Sequence, residues 1–402
     1  MSTFKGRLSD HRIGFICIDY FRPETYDCTA FMVSHVHWDH LQGLFDREFI
    51  ELVNDDSTNK FLYCSTFTAH LLSKFPKFAI NQRKIIQMDV NRSYIIRSDS
   101  VETDVVVTCL AAGHCPGSVM FLIEYLDKRI LYTGDFRIRV EELKKVNSRL
   151  TNDDGSVIPI HDLHIDTTFA FTSVLDDFPT RESSEKLIID QIERWKWEVG
   201  STLKVLISLP YRYGIEYLYI SLSKKFKKPI SVHDYNSYAR VEEISSHVVS
   251  FENASDDDWL IHACMQKSRC PLNNAQEVKI IRPCALSFLS KSTKGLCVKD
   301  PKYGVPFVDE RGAMKVFYSS HCSLRELQDV VEFLQPKRIF PNVNNDELPE
   351  QQIIDLLLKK NITPYGNGDS ITVSSQRLAY KRSREEKKSR YLESMKKFKL
   401  RM

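Results

Sequence analysis

The sequence predicts an α/β fold built in more than one unit, and three observations carry that prediction. Short apolar runs bounded by turn residues recur through the first 168 residues, strand-like and helical stretches alternate beyond them, and 402 residues exceed one average domain. Composition agrees with a chain that buries a core, since 42% of residues are hydrophobic and 27% are charged. No apolar run approaches the roughly 18 to 20 residues of a membrane span. The opening Met-Ser-Thr-Phe-Lys-Gly also lacks the apolar centre of a secretory signal, so no membrane partner is expected. The ten cysteines are scattered, which in a reducing compartment favours thiols or metal ligands over disulfides.

Taken in order, the elements deliver ionisable side chains to strand ends. The run 29–33 reads as a strand and leads into His35-Val36-His37-Trp38-Asp39-His40, four metal-ligand side chains within six residues. Runs 105–110, 119–125, 130–133 and 163–165 read as further strands, and His114, Asp135 and Asp166 each follow the end of one. Imidazole and carboxylate suit zinc, and two ions a few ångströms apart need about six to eight such groups from several segments. Rigid strands feeding short loops hold ligands with little freedom. The pattern therefore reads as a two-metal hydrolytic site.

Beyond residue 168 the pattern changes. Thr180 reads as the cap of a helix over 182–197, where Leu187, Ile188, Ile192 and Trp195 recur at helical spacing. A strand over 204–209 and a helix over 215–226 follow, and this alternation predicts a second, mainly parallel α/β unit. The strand-like run 315–318 and the capping box Ser323-Leu-Arg-Glu326 read as resumption of the first unit, so the second unit is expected to be an insertion. The helix after that box carries Leu327, Val330, Val331 and Leu334 on one face. Within the insertion, His233, His262, Cys264 and Cys270 have the composition of a closed tetrahedral zinc site. Cys284 is the rival fourth ligand; Cys270 is preferred because Cys284 abuts a strand in Arg-Pro-Cys284.

Charge is concentrated rather than large. The net charge is only +3, but residues 380–402 hold ten Lys and Arg, consistent with a solvated tail, a nuclear-import signal or a phosphate-binding tail.

The His-x-His-x-Asp-His loop, the isolated His114 and the later Asp135 resemble, in kind and order, the metallo-β-lactamase superfamily. Ala112-Gly-His-Cys-Pro-Gly-Ser-Val-Met-Phe-Leu122, Tyr132-Thr-Gly-Asp-Phe-Arg137, Asp166-Thr-Thr-Phe169 and Pro341-Asn-Val343 resemble the β-CASP nucleases of the DNA-crosslink-repair group, over residues 1 to about 375. The resemblance implies a metallo-β-lactamase αββα sandwich with an inserted β-CASP α/β cap. Its parts would be 1–168, a cap over 169–313, a return over 314–375 and the basic tail 376–402.

It also implies roles. His35, His37 and His114 would hold a first metal, Asp39 and His40 a second, and Asp135 would bridge them; Asp166 would complete the second site, and His321, in Tyr318-Ser-Ser-His321, would stabilise the leaving oxygen. Asp39, Asp135, Asp166 and His321 are thus the candidate catalytic residues. Zinc is expected at one or both catalytic positions, with magnesium or manganese as alternatives at the second, and one structural zinc is expected in the cap. Arg212, Arg282 and Lys291 are candidate grips on the DNA backbone. The implied activity is structure-selective DNA cleavage at hairpins, overhangs, junctions or 5′ ends, in double-strand-break or crosslink repair. A nuclear monomer working with end-joining repair factors is expected. Val343 stands where DNA-acting members commonly have Val and RNA-processing members His. An RNA-processing β-CASP endonuclease and a non-catalytic repair scaffold remain the alternatives.

Overall fold

Four short parallel strands, β1 (Ile16–Ile18), β2 (Ala30–Val33), β3 (Phe61–Ser65) and β4 (Ile85–Met88), pair in that order as one sheet. The computed structural model describes residues 2–98, 101–170, 177–253, 260–265, 270, 272, 278–289, 305–344 and 348–359. Lys291 and the basic tail over 376–402 lie outside the described residues. A second sheet starts as an antiparallel meander of β5 (Ser93–Ser98), β6 (Val101–Ala111), β7 (Val119–Tyr125) and β8 (Lys128–Tyr132). It continues through β9 (Asp162–Ile165), which is parallel to β8.

The period of two along these strands sorts side chains into two cores. Val105, Val107, Cys109, Phe121 and Ile123 pack against Ile16, Ile18, Ala30 and Met32 of the first sheet. Their neighbours Leu110, Met120, Leu122, Leu131 and Leu163 face the other way, onto the helices Leu324–Leu334 and Glu350–Leu357. On the far side of the first sheet, Cys17, Phe31, Val33, Leu62 and Cys64 pack with residues of the helices Arg47–Asn54 and Thr66–Leu72. The layers therefore run helix, sheet, sheet, helix, which is the αββα sandwich. Each large apolar side chain fully buried this way contributes about 1.5–3 kcal/mol. Covered on both faces, β7 opens as a continuous apolar run, Val119 to Ile123, rather than an alternating one.

A third sheet gathers β10 (Lys204–Ser208), β11 (Ile230–Val232), β12 (Val248–Ser250), β13 (Leu260–Cys264), β14 (Val278–Pro283), β15 (Phe307–Val308) and β16 (Ala313–Val316). Its order is β12-β11-β13-β10-β14-β16-β15, parallel throughout except for β15. The helix Arg181–Val199 precedes it, capped by the Thr180 hydroxyl, which accepts from the Ser183 amide. The chain then re-enters the sandwich: β17 (Arg338–Pro341) pairs in parallel with β9 at the edge of the second sheet, giving the order β17-β9-β8-β7-β6-β5.

One expectation needs correction. The strand anticipated at 315–318 as part of the returning segment is β16, and it belongs to the inserted sheet. Its partner is β14, in the register Ile280↔Ala313 through Pro283↔Val316. The open edge of β14 presents backbone groups that must be paired, and the chain satisfies them before it leaves. The return proper begins after Val316, with the segment that carries His321 and with the helix Leu324–Leu334.

That helix opens on the expected capping box, in which Ser323 Oγ accepts from the Glu326 amide at 3.1 Å and Glu326 Oε2 accepts from the Ser323 amide at 2.8 Å. Glu326 also takes a 3.2 Å hydrogen bond from buried Arg137 Nε, and the same guanidinium donates to the carbonyls of Ser319 and Pro179 at 3.0 Å. A buried charge needs such a complete set of partners. The arrangement ties the loop after Asp135 to the segment before His321.

Candidate metal centre

The parallel pairing of β1 with β2 puts Asp19, just after β1, beside Ser34, just after β2. Asp19 has φ +56°, a left-handed conformation that Asp tolerates better than most residues. Its carboxylate accepts from the Ser34 amide at 2.7 Å, the Ser34 hydroxyl at 2.5 Å, His40 Nδ1 at 2.8 Å and the Tyr132 hydroxyl at 3.0 Å. Its Oδ2 takes the Ser34 hydroxyl, His40 and Tyr132, so Asp19 orients His40, and it also gathers with His35 and His40. A carboxylate on one imidazole nitrogen fixes the tautomer and turns the other nitrogen outward as ligand. Asp19 was not anticipated from the sequence, although an Asp directly after the apolar Ile-Cys-Ile run is the same signal that marked Asp135 and Asp166.

His35, His37, His114 and Asp135 offer ligand atoms that all lie within 4.8 Å of one another. His114 Nε2 is 2.9 Å from His37 Nδ1, and Asp135 Oδ2 is 3.6 Å from His35 Nε2 and 3.7 Å from His114 Nε2. The other oxygen, Asp135 Oδ1, faces His40 Nε2 at 3.2 Å. One carboxylate thus stands between two groups of imidazoles, the arrangement a bridging ligand requires. Gly134 makes this approach possible, because at φ +54° a Cβ there would lie 2.8 Å from Ser34 Oγ. Backbone carbonyls set the remaining tautomers: His37 Nε2 donates to Tyr213 O and His114 Nδ1 to Ser320 O, both at 2.9 Å.

Asp166, Asp135 and His321 form an adjoining cluster, with His321 Nδ1 2.8 Å from Asp166 Oδ2 and 3.9 Å from Asp135 Oδ2. Asp39 sits at the rim. Its Oδ2 is 3.9 Å from His40 Nε2 and accepts from the Ser2 amide at 3.1 Å, and it joins none of the gathered ligand sets.

The donor set fits divalent metal. His35 Nε2 is buried without a hydrogen-bond partner, and His40 Nε2 has only the Asp135 carboxylate, 3.2 Å away; an unsatisfied buried polar atom is costly unless something else satisfies it. Burial, reinforced by the neighbouring imidazoles, pushes the His35 and His114 pKa values well down, and burial also lowers that of His37. These three rings are therefore neutral, as ligation demands. For His40, burial acts the same way, but Asp135 and Asp19 outweigh it and hold its pKa above the usual value. Burial would raise Asp135, yet His40 and His321 keep it well below the carboxylate range.

A first test of this assembly is Asp19→Asn, which keeps the left-handed backbone and removes the charge behind His40. Metal affinity at the His40 side is expected to fall about 10- to 100-fold, as for other orienting partners of metal ligands. Titration of the metal-free protein with Zn²⁺ measures this; an unchanged isotherm excludes the orienting role.

Residues 240–347 match the family model described as DNA repair metallo-beta-lactamase. The chain is 30% identical over 355 residues to protein artemis of Danio rerio, covering 85% of this chain and 53% of that protein. Protein artemis of Rattus norvegicus is 28% identical over 369 residues, covering 89% and 51%. The 5′ exonuclease Apollo of Rattus norvegicus is 27% identical over 325 residues, covering 80% and 52%. By these matches the chain is similar to DNA-repair proteins of the metallo-β-lactamase type. It spans about half the length of these curated relatives.

The inserted sheet carries the second cluster. His262 and Cys264 alternate on β13 and so share a face, and the register Val232↔Ala263 sets His233, just after β11, beside them. Their ligand atoms lie within 4.8 Å of one another. His262 Nδ1 contacts Ser231 Oγ and O at 3.1 Å, while its buried Nε2 has no hydrogen-bond partner, and burial followed by His233 pushes its pKa down to about 4. Cys270, the expected fourth ligand, shares an apolar cluster with Cys264, Leu206, Leu260 and Leu272 but is not gathered with the three. Cys284 follows β14, where its amide pairs with Val316 O, and is not gathered either.

The remaining candidates are placed as follows. Arg212 is ion-paired to Asp234 at 2.6 Å and lies over the rings of Phe75 and Tyr213 at 5.2 and 5.1 Å. Arg282 is half-buried with Ser208 Oγ at 3.4 Å. Val343 is pinned beside Asp166 by Thr167, whose hydroxyl donates to Val343 O at 2.6 Å and accepts from its amide at 3.1 Å.

Proposed function

We propose that this chain is a structure-selective DNA nuclease that hydrolyses phosphodiesters at a two-metal centre, in double-strand-break or crosslink repair. The observation that carries the reading is Asp135 set between His35, His37 and His114 on one side and His40 on the other. The names of the relatives, among them a 5′ exonuclease, support DNA as the polymer. Divalent ions held there, zinc with magnesium or manganese as the alternative at the second position, supply an acidified water and neutralise charge on the phosphate. The chain's own residues do the rest. Asp19, Tyr213 O and Ser320 O hold the imidazoles in their ligating tautomers. Asp39 and Asp166 complete the His40 side. Asp166 also holds His321 through its Nδ1 at 2.8 Å, which aims the ring to give a proton to the leaving oxygen. No side-chain nucleophile is used.

In the cap, His233, His262 and Cys264 hold a structural zinc, with Cys270 or Cys284 closing the shell. Arg212, Arg282 and Lys291 are the cap's contacts to the DNA backbone. The protein works in the nucleus as a monomer, on hairpins, overhangs or 5′ ends, beside end-joining factors. Among the described residues no helix is long and apolar enough to cross a membrane.

The reading is tested with end-labelled hairpin, overhang and single-stranded DNA and matched RNA, incubated with metal-reconstituted protein and mapped to the nucleotide. DNA should be cut faster than RNA and leave 5′ phosphates, as Val343 leads one to expect. Preferential RNA cleavage would establish the RNA-processing alternative instead, and absence of cleavage with metals bound would establish the scaffold.

A further inference from the structure

We infer that Trp38 is a stacking platform for an unpaired nucleobase flanking the scissile phosphate, an inference that rests on the DNA-nuclease reading and assigns a residue to its structure selectivity. Trp38 lies between His37 and Asp39, and its side chain is 68% exposed although its neighbours in the loop are buried or half-buried. An exposed indole on the loop of candidate ligands leaves an aromatic face open to a partner from outside the chain. Exposure alone does not argue this: Trp197 is 88% exposed near the end of the helix Arg181–Val199, an unremarkable solvated position.

Trp38 differs in being held and in where it is held. Its ring centroid is 5.5 Å from that of Phe45 and 5.6 Å from that of Phe75, edge-on to the latter at 85°, and Phe45 and Phe75 contact each other at 5.6 Å. The indole is therefore supported from behind without being covered. The Arg212 guanidinium of the cap, ion-paired with Asp234 at 2.6 Å, lies 5.2 Å over the same Phe75 ring, which brings a guanidinium into the aromatic group. Aromatic faces next to cations are the elements with which proteins bind single strands, since every base has a face to stack and every nucleotide a phosphate. Trp38 is flanked in the chain by His37 and Asp39, so a base stacked on it belongs to a nucleotide close to the scissile phosphate. A base inside a duplex is stacked on its neighbours and is not available. Cleavage should therefore favour a position where one flanking nucleotide is unpaired, at an overhang, a hairpin tip or a junction.

The test uses the metal-loaded full chain with Trp38→Ala and Trp38→Phe, and a fluorescent overhang DNA in which one abasic nucleotide is walked across the mapped cleavage position. Binding by anisotropy, kcat/KM and metal content are read for each. Trp38→Ala should weaken overhang binding about 5- to 150-fold, the equivalent of ~1–3 kcal/mol for one stacked base, while blunt duplex binding and metal content stay unchanged. Trp38→Phe should recover most of the loss. In the wild type, one abasic position flanking the cut should cause a loss of the same size, and that position should cause no further loss in Trp38→Ala. Should Trp38→Ala lose metal through damage to the loop, the abasic walk in the wild type decides alone. Equal binding and cutting by Trp38→Ala, or a uniform response to every abasic position, overturns the inference. A wild type that cuts no DNA overturns the nuclease reading instead.

Discussion

Replacing Asp39 by Ala is expected to slow DNA cleavage by at least about 10³-fold, on the order of 4 kcal/mol of transition-state stabilisation, while the fold survives. Asp39 faces His40 at 3.9 Å and otherwise accepts only the Ser2 amide among the described residues, so its removal opens no cavity in either sandwich core. What it removes is a carboxylate at the rim of the His40 side, where Asp135 alone would have to balance a second divalent charge. Substrate binding should persist, because phosphate contacts elsewhere are untouched. Single-turnover cleavage, melting temperature and metal stoichiometry, measured together, check this. A purified Asp39→Ala variant that cuts at close to the wild-type rate would remove Asp39 from the centre and leave Asp166 and His321 as its completing side.

Cys264→Ser is expected to act in the opposite order, lowering stability and zinc content before chemistry. Metal binding to a closed thiolate and imidazole shell is coupled to folding, and losing one thiolate costs on the order of several kcal/mol. The cluster joins β11 to β13 near the carboxyl ends of parallel strands, beside a cavity of about 500 Å³ lined by His233, Cys264, Arg212 and Asp234. Loss of the ion should thus loosen the cap, and with it the Tyr213 carbonyl that orients His37. Asp39→Ala should retain this cap zinc, which elemental analysis of the two variants side by side distinguishes. Equal melting and equal zinc in Cys264→Ser and the wild type would mean that the cluster is only a set of buried polar side chains.

The residues that gather at the candidate metal centre are legible in the sequence. His35, His37, His40, His114 and Asp135 follow strands whose apolar runs identify them, and a metal demands residue types that few other roles would place in that order. The capping box at Ser323 and Glu326, the helix capped by Thr180 and the parallel character of the insertion were legible for a related reason: capping and periodicity act over a few residues and are written there. Tertiary structure alone decided which partners those residues meet. Asp19 reaches His40 because β1 and β2 lie side by side, and Glu326 meets Arg137 because the returning helix packs under the second sheet. A strand's pattern states which faces are buried but not which edge it will join, so β16 paired with β14 rather than with the sandwich. His37 is oriented by the carbonyl of Tyr213, and a backbone carbonyl is present at every residue and has no signature. The cap cluster shows the same division, since His233, His262 and Cys264 converge as their spacing foretold, while the choice between Cys270 and Cys284 depends on how distant strands and loops pack around them, a long-range contact that no local pattern encodes.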